Sequence, residues 1–140
     1  MKILVIDGQG GRMGRKLVES IRAACPDAVI TAVGTNSLAT ENMMKSGCAD
    51  HLATGENAVL VACRSAEVIV GPLGIALADA MLGEISPAMA AAVAASPAKR
   101  ILIPLNLCDT WVAGVSGGSA AILEDALERI RALAREGAGS

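Results

Sequence analysis

The sequence predicts an α/β fold, and three observations carry that reading. Apolar runs of strand length alternate with stretches of helical period along the chain, a pattern that builds a parallel sheet with helices on both faces. The runs are near-continuous aliphatics such as Ile3-Leu4-Val5-Ile6 and Val68-Ile69-Val70, as expected of strands covered on both sides. A glycine-rich loop follows the first run and opens the first helix, as in dinucleotide-binding folds. The expected architecture is a three-layer, Rossmann-like domain with a mostly parallel sheet of five or six strands.

The first strand spans Lys2–Asp7. The first helix runs from Arg12 to Ala24, with Met13, Leu17, Ile21 and Ala24 on one face, and Cys25-Pro26-Asp27 ends it. Strand two covers Val29–Gly34. Helix two covers Leu38–Ser46, with Gly47 as its stop. Asp50–Ala53 reads as a short third strand and Glu56–Arg64 as a short helix. Strand four covers Glu67–Gly71, followed by a turn at Pro72-Leu73-Gly74. Ile75–Leu82 reads as helical. Ser86-Pro87 starts another helix, with Ser as N-cap and Pro in the first turn, and that helix ends near Ser96-Pro97. Strand five covers Arg100–Pro104, and Trp111–Val115 is a candidate sixth. The last helix, Ser119–Arg135, is expected to bury Leu123, Leu127, Ile130 and Ala134. The strand order expected first is 3-2-1-4-5, with a flavodoxin-like 2-1-3-4-5 second.

At 140 residues the chain fits one domain, expected over residues 1–136 with a disordered tail at 137–140. Hydrophobic residues at 53% and charged ones at 19% exclude disorder. A net charge of −2 lacks the basic excess of a general nucleic-acid binder. Phe and Tyr are absent and Trp111 is the sole aromatic, which excludes a base-stacking platform. Only four apolar residues separate Lys2 from Asp7, too short a run for a signal peptide or a membrane span. A cytoplasmic location and no membrane partner are expected. Cys25, Cys48, Cys63 and Cys108 form no Cys-x-x-Cys pair, so free thiols are expected. Cys48-x-x-His51 lacks the further ligands of a zinc site, so no metal is expected.

The strongest motif is Asp7-Gly8-Gln9-Gly10-Gly11-Arg12-Met13-Gly14. Gly8 would permit a tight turn. Gly10 and Gly11 would let backbone amides approach a phosphate, and Gly14 would let the helix pack close to the strand. Arg12, Arg15 and Lys16 sit in the first turns of the helix, where the dipole disfavours cations and a bound phosphate would reverse that sign. At the end of strand two, where a carboxylate would grip an adenosine ribose, stands Gly34-Thr35-Asn36-Ser37. No acid is present there, and only Lys45 is near for an NADP phosphate.

Gly8-Gln-Gly-Gly-Arg-Met-Gly-Arg15 resembles the cofactor loop of dihydrodipicolinate reductases, enzymes that carry a second domain. A longer resemblance runs through Val-Ile-Asp-Gly-Gln-Gly-Gly (5–11), Gly-Thr-Asn-Ser-Leu-Ala-Thr (34–40), Thr-Gly-Glu-Asn-Ala (54–58), Gly-Pro-Leu-Gly-Ile (71–75), Met-Leu-Gly-Glu-Ile-Ser-Pro-Ala-Met (81–89) and Ile-Leu-Ile-Pro-Leu-Asn (101–106). Over nearly the whole chain the sequence resembles domain-of-unknown-function family 3842, a family of small bacterial proteins. That resemblance implies a family and supplies no activity and no catalytic residue.

In parallel sheets ligands bind at the carboxyl ends of the strands. That rule gathers Asp7 and the loop, Thr35 and Asn36, Thr54, Glu56 and Asn57, Pro72 and Gly74 with Asp79 and Glu84, and Asn106, Cys108 and Asp109. The candidate ligand contacts are Asp7, Gly8, Gln9, Gly10, Gly11, Arg12, Met13, Gly14, Thr35, Asn36, Gly71, Pro72, Gly74 and Asn106. Asp7 either touches the ligand or braces the loop. Asn36 and Thr54 also read as plain helix N-caps.

Three functions follow. The chain binds a nucleotide or phosphorylated metabolite through residues 8–14, as a binding or sensing protein or an enzyme subunit. Alternatively it is a stand-alone NAD(P)-dependent oxidoreductase with Asp7, Glu56, Asn106 and Cys108 around the substrate. In the third reading it is an interaction protein with a purely structural loop. The Ala/Met-rich helix Pro87–Ala95, with Ile75–Leu82, offers a flat apolar face for a homodimer, with Met89 in it.

Overall fold

Strand β1 (Lys2–Asp7) lies at the centre of the sheet and is buried at every position after Lys2. The computed structural model describes residues 1–105 and 109–138. After β1 come α1 (Arg12–Ala24), β2 (Val29–Gly34), α2 (Ser37–Lys45), β3 (His51–Thr54), α3 (Glu56–Ser65), β4 (Val68–Pro72), a 3₁₀ turn (Leu73–Ala76), α4 (Pro87–Ala95), β5 (Lys99–Ile103) and α5 (Ser119–Ala138). The five strands pair in the order β3-β2-β1-β4-β5, and every pairing is parallel. This is the order expected first, with β1 and β4 flanking the point where the chain reverses its direction of travel.

Alternation along β1 divides the core. Ile3 and Val5 pack with Leu17, Val18 and Ile21 of α1, Met43 of α2, and Ala126, Leu127 and Ile130 of α5. Leu4 and Ile6 pack on the other face with Val59 and Cys63 of α3 and Met89 and Val93 of α4. Each fully buried Leu, Ile or Val side chain contributes roughly 1.5–3 kcal/mol, so this aliphatic core stands without aromatics. In α5, Leu123 and Ala134 are partly buried against the core, while Ala126 is buried beside Leu127 and Ile130.

The extents of β1, α1 and β2 coincide with the sequence reading. Ser86 caps α4 as expected, its hydroxyl accepting from the Met89 amide at 3.2 Å. Helix α5 runs to Ala138, into the first residues of the expected tail. Asn106 and Cys108 lie outside the described residues. Cys25, Cys48 and Cys63 are free, and burial pushes the Cys63 thiol up. Among the described residues no helix is long and apolar enough to cross a membrane.

Three expectations are corrected. Ile75–Leu82 is not a helix. After the 3₁₀ turn the chain forms successive turns with positive φ at Asp79 (66°), Met81 (57°), Leu82 (57°) and Gly83 (90°). A right-handed helix would bury Leu82 with Ile75, yet Ile75 is fully buried and Leu82 is 98% exposed. Trp111–Val115 forms no strand. It is exposed throughout and turns at Gly114 (φ 84°), with Trp111 96% exposed, so it has no apolar face to lay on the β5 edge. Met89 does not belong to an outward face. It is 3% exposed inside its own chain's core, and the outward side of α4 carries Ala88, Ala91 and Ala95.

Truncating Met89 therefore tests the core of one protomer. Met89→Ala should lower unfolding free energy by about 2–5 kcal/mol, read by circular dichroism in urea. A loss under about 0.5 kcal/mol would show that Met89 is not packed as described.

Candidate functional site

The crevice at the carboxyl ends of β1 and β4 has a volume of about 750 Å³ and is walled by residues 7–13, Pro72, Gly74, Leu77, residues 79–82, Leu105 and Thr110. A larger cleft of about 920 Å³ lies at the opposite end of the sheet, against Met1, Glu67, Lys99 and Arg131. It has no glycine loop, so the first crevice is the candidate site.

Asp7 builds the loop. Its side chain is buried, and each oxygen accepts a backbone N–H, Oδ1 from Gly8 at 2.8 Å and Oδ2 from Gly14 at 2.7 Å. Gly14 is in the first turn of α1, so Asp7 caps that helix from the preceding strand. Burial raises its pKa above the ordinary 3.8, against the two amides that lower it, and Glu84 adds a smaller upward push. With both oxygens engaged, the carboxylate braces the loop.

The glycines divide the work differently from the sequence expectation. Gly8 serves packing: a Cβ there would lie 2.7 Å from Met81 Sδ and Thr35 Oγ1. The left-handed turn falls on Gln9 (φ 49°) and Gly11 (φ 73°). A Cβ on Gly11 would meet the Ala39 backbone at 2.7 Å, so Gly11 lets α2 approach rather than opening space for a ligand. At Gly10 nothing stands within 4 Å of a Cβ position. Gly14 allows close helix–strand packing as expected, its Cβ position being 2.7 Å from Asp7 Cβ.

The loop's hydrogen bonds are lopsided. Its carbonyls are taken: Gly8 by the Gly11 amide at 3.0 Å and Gly11 by the Arg15 amide at 2.9 Å, Gln9 by Asn36 Nδ2 at 3.0 Å, and Gly10 by Asn42 Nδ2 at 2.9 Å. The amides of Gly10, Arg12 and Met13 donate to no acceptor among the described residues. These three residues lie in the crevice wall at the positive end of a helix, with the loop's carbonyls engaged elsewhere. Arg15 is engaged by Glu19 and Asn42, whereas Arg12 stays exposed on the crevice wall.

Glu84 sits behind the loop. Its Oε1 accepts from the Gln9 amide at 2.8 Å, the Thr35 hydroxyl at 2.6 Å and Asn36 Nδ2 at 2.7 Å. Burial alone would raise its pKa, but these three hydrogen bonds together hold it below the ordinary 4.5.

Of the expected contacts, Asp7 through Met13, Pro72 and Gly74 wall the crevice. Gly14 lies beneath it. Thr35 and Asn36 are tied to Glu84, and Asn36 also caps α2 through the Ala39 amide at 2.8 Å. Gly71 packs against the Ile6 carbonyl. The polar residues after β3 do not join the crevice, because β3 is the sheet edge, separated from β4 by both β2 and β1. Thr54 bonds Thr40 and caps nothing, α3 being preceded by Gly55, while Glu56 bonds Ser86. Leu77, Ala80, Met81, Leu82, Leu105 and Thr110 escaped the sequence reading; the apolar character of the first five was the sole hint of a wall, and Thr110 gave none. Asn42 left a clearer signal: an Asn inside a helix is unfavourable unless its amide has other work.

A family model described as a domain of unknown function, DUF3842, matches residues 2–135. The chain belongs to that family. No curated protein matches. Among solved structures, a dodecameric FMN-dependent Ubix-like decarboxylase from Escherichia coli O157:H7 is similar at a TM-score of 0.45 and 13% identity, covering 93% of this chain and 91% of that one. In the DUF3842 chain the glycine loop lies at the switch point of the sheet, and Asp7 and Glu84 are the carboxylates that hold it.

Asp7→Asn should destabilise the protein by about 1–3 kcal/mol, since an amide has one oxygen and would turn its NH₂ toward a backbone N–H; urea unfolding followed by circular dichroism reads the difference. Glu84 predicts a pH dependence. A pKa held below 4.5 means that its ionisation stabilises the fold above that pH, and the stabilisation is lost as pH falls through the lowered value. The stability gap between wild type and Glu84→Gln should therefore be present at pH 7 and shrink below pH 4.5.

Proposed function

We propose that the crevice binds the phosphate group of a nucleotide or phosphorylated small metabolite, with the chain serving as a binding or sensing protein or as an enzyme subunit. The observation that carries this reading is the loop's asymmetry: among the described residues the amides of Gly10, Arg12 and Met13 have no acceptor, while the carbonyls from Gly8 to Gly11 are all engaged. An anion satisfies such donors and gains from the helix dipole. Open space above Gly10 admits it, and Arg12 supplies a mobile cation at the rim. Asp7 does not oppose the anion as a free carboxylate would, because its oxygens are already covered by amides.

Gly10 separates binding from folding. Its surroundings have room for a side chain and its φ is not left-handed. Gly10→Val should keep the wild-type melting temperature while losing the upward shift that millimolar inorganic phosphate, AMP and sugar phosphates produce in wild type, followed by circular dichroism. If none of these compounds shifts the wild-type melting temperature, the reading is wrong.

A further inference from the structure

Glu84 belongs to a strap, residues 77–85, that lies over the loop. The strap is held in a conformation that side chains resist: Asp79, Met81 and Leu82 all have positive φ, at a cost of about 1 kcal/mol or more each. Its bonds close on themselves, Asp79 N–H to Ile85 O at 2.7 Å and Ile85 N–H to Ala80 O at 3.2 Å, and Ile85 anchors it in the core. The outcome is to deliver one carboxylate to the end of β2.

That place matters for any dinucleotide. The second nucleotide-binding group in such folds is an acid at the end of β2 that accepts a ribose hydroxyl. Here Thr35 and Asn36 stand at that end, and neither is available. The Thr35 hydroxyl donates to Glu84. The Asn36 amide donates to Glu84 and to the Gln9 carbonyl, and its oxygen caps α2. Glu84 Oε1 already receives three donors. None of these three residues lines the cavity, which extends instead from the loop toward Leu77, Met81, Leu82 and Leu105, with Asp79 and Thr110 as its polar members on that side.

We propose that Glu84 is a specificity-determining residue: it seals the β2 side of the crevice, so the site takes a phosphomonoester with a compact apolar body directed toward β4 and β5, and refuses the adenosine half of a dinucleotide. This rests on the phosphate reading above. The loop amides hold the phosphate; the strap and Leu105 cover the body.

Isothermal titration of the full chain with inorganic phosphate, butyl phosphate, NAD⁺ and NADP⁺ tests it. Butyl phosphate should bind at least about tenfold more tightly than inorganic phosphate, because the wall buries its methylenes, and neither dinucleotide should bind more tightly than inorganic phosphate. In Glu84→Ala, the ratio of dinucleotide affinity to butyl phosphate affinity should rise at least about tenfold over wild type, whatever loosening of the loop does to both. Wild type binding a dinucleotide more tightly than butyl phosphate would overturn the proposal, most directly if Glu84→Gln abolished that binding, which would make Glu84 a ribose ligand. Equal binding of butyl and inorganic phosphate would overturn it while leaving the phosphate reading intact. No binding of either phosphate would remove both. The wild-type comparison decides the matter even if Glu84→Ala does not fold.

Discussion

The carboxylate of Asp7 bridges the end of the central strand and the start of the helix that follows it. One oxygen holds the Gly8 amide and the other holds the Gly14 amide, so a single buried side chain fixes both ends of the turn between them. Everything on the ligand side inherits this geometry. Gly14 must lack a Cβ for α1 to come so close, and Gly11 must lack one for α2 to follow. A buried carboxylate is ordinarily unfavourable. Here the helix start supplies donors that would otherwise be unpaired, and each group answers the other's deficit.

A second tier of polar side chains keeps the loop from collapsing onto itself. Asn36 and Asn42, both from the α2 region, draw the Gln9 and Gly10 carbonyls away from the crevice. Glu84 engages the Gln9 amide from the strap side. These contacts hold the loop in one shape, and under the phosphate-binding proposal such a preorganised site would not lose affinity to ordering its own backbone.

What was legible in the sequence follows from how local the determinants are. Lys2–Asp7 reads as a buried strand because its apolar run is continuous, and Arg12–Ala24 as a helix because Leu17 and Ile21 repeat at helical spacing. Ser86-Pro87 announces a helix start by its own chemistry. The loop motif likewise contains its own context. The strap does not: Ile75, Leu77, Met81 and Leu82 have helix-like spacing, and the reasons for their actual path lie in Glu84's partners just beyond the ends of β1 and β2, far away in sequence. Thr54 and Glu56 obey the carboxyl-end rule but sit on the edge strand, a fact that strand order settles and composition does not. Met89 reads equally well as core or surface until the packing of α4 on α3 is known.

The absence of Phe and Tyr leaves one aromatic ring in the chain, and Trp111 stands almost entirely in water. The core that holds the fold together is therefore optically silent in the near ultraviolet. Trp111 fluorescence is already that of a solvated indole in the folded chain, so it changes little on denaturation and is a poor reporter of folding. The same ring is the neighbour of Thr110 on the crevice wall. Its emission stands against a background free of Phe and Tyr signals.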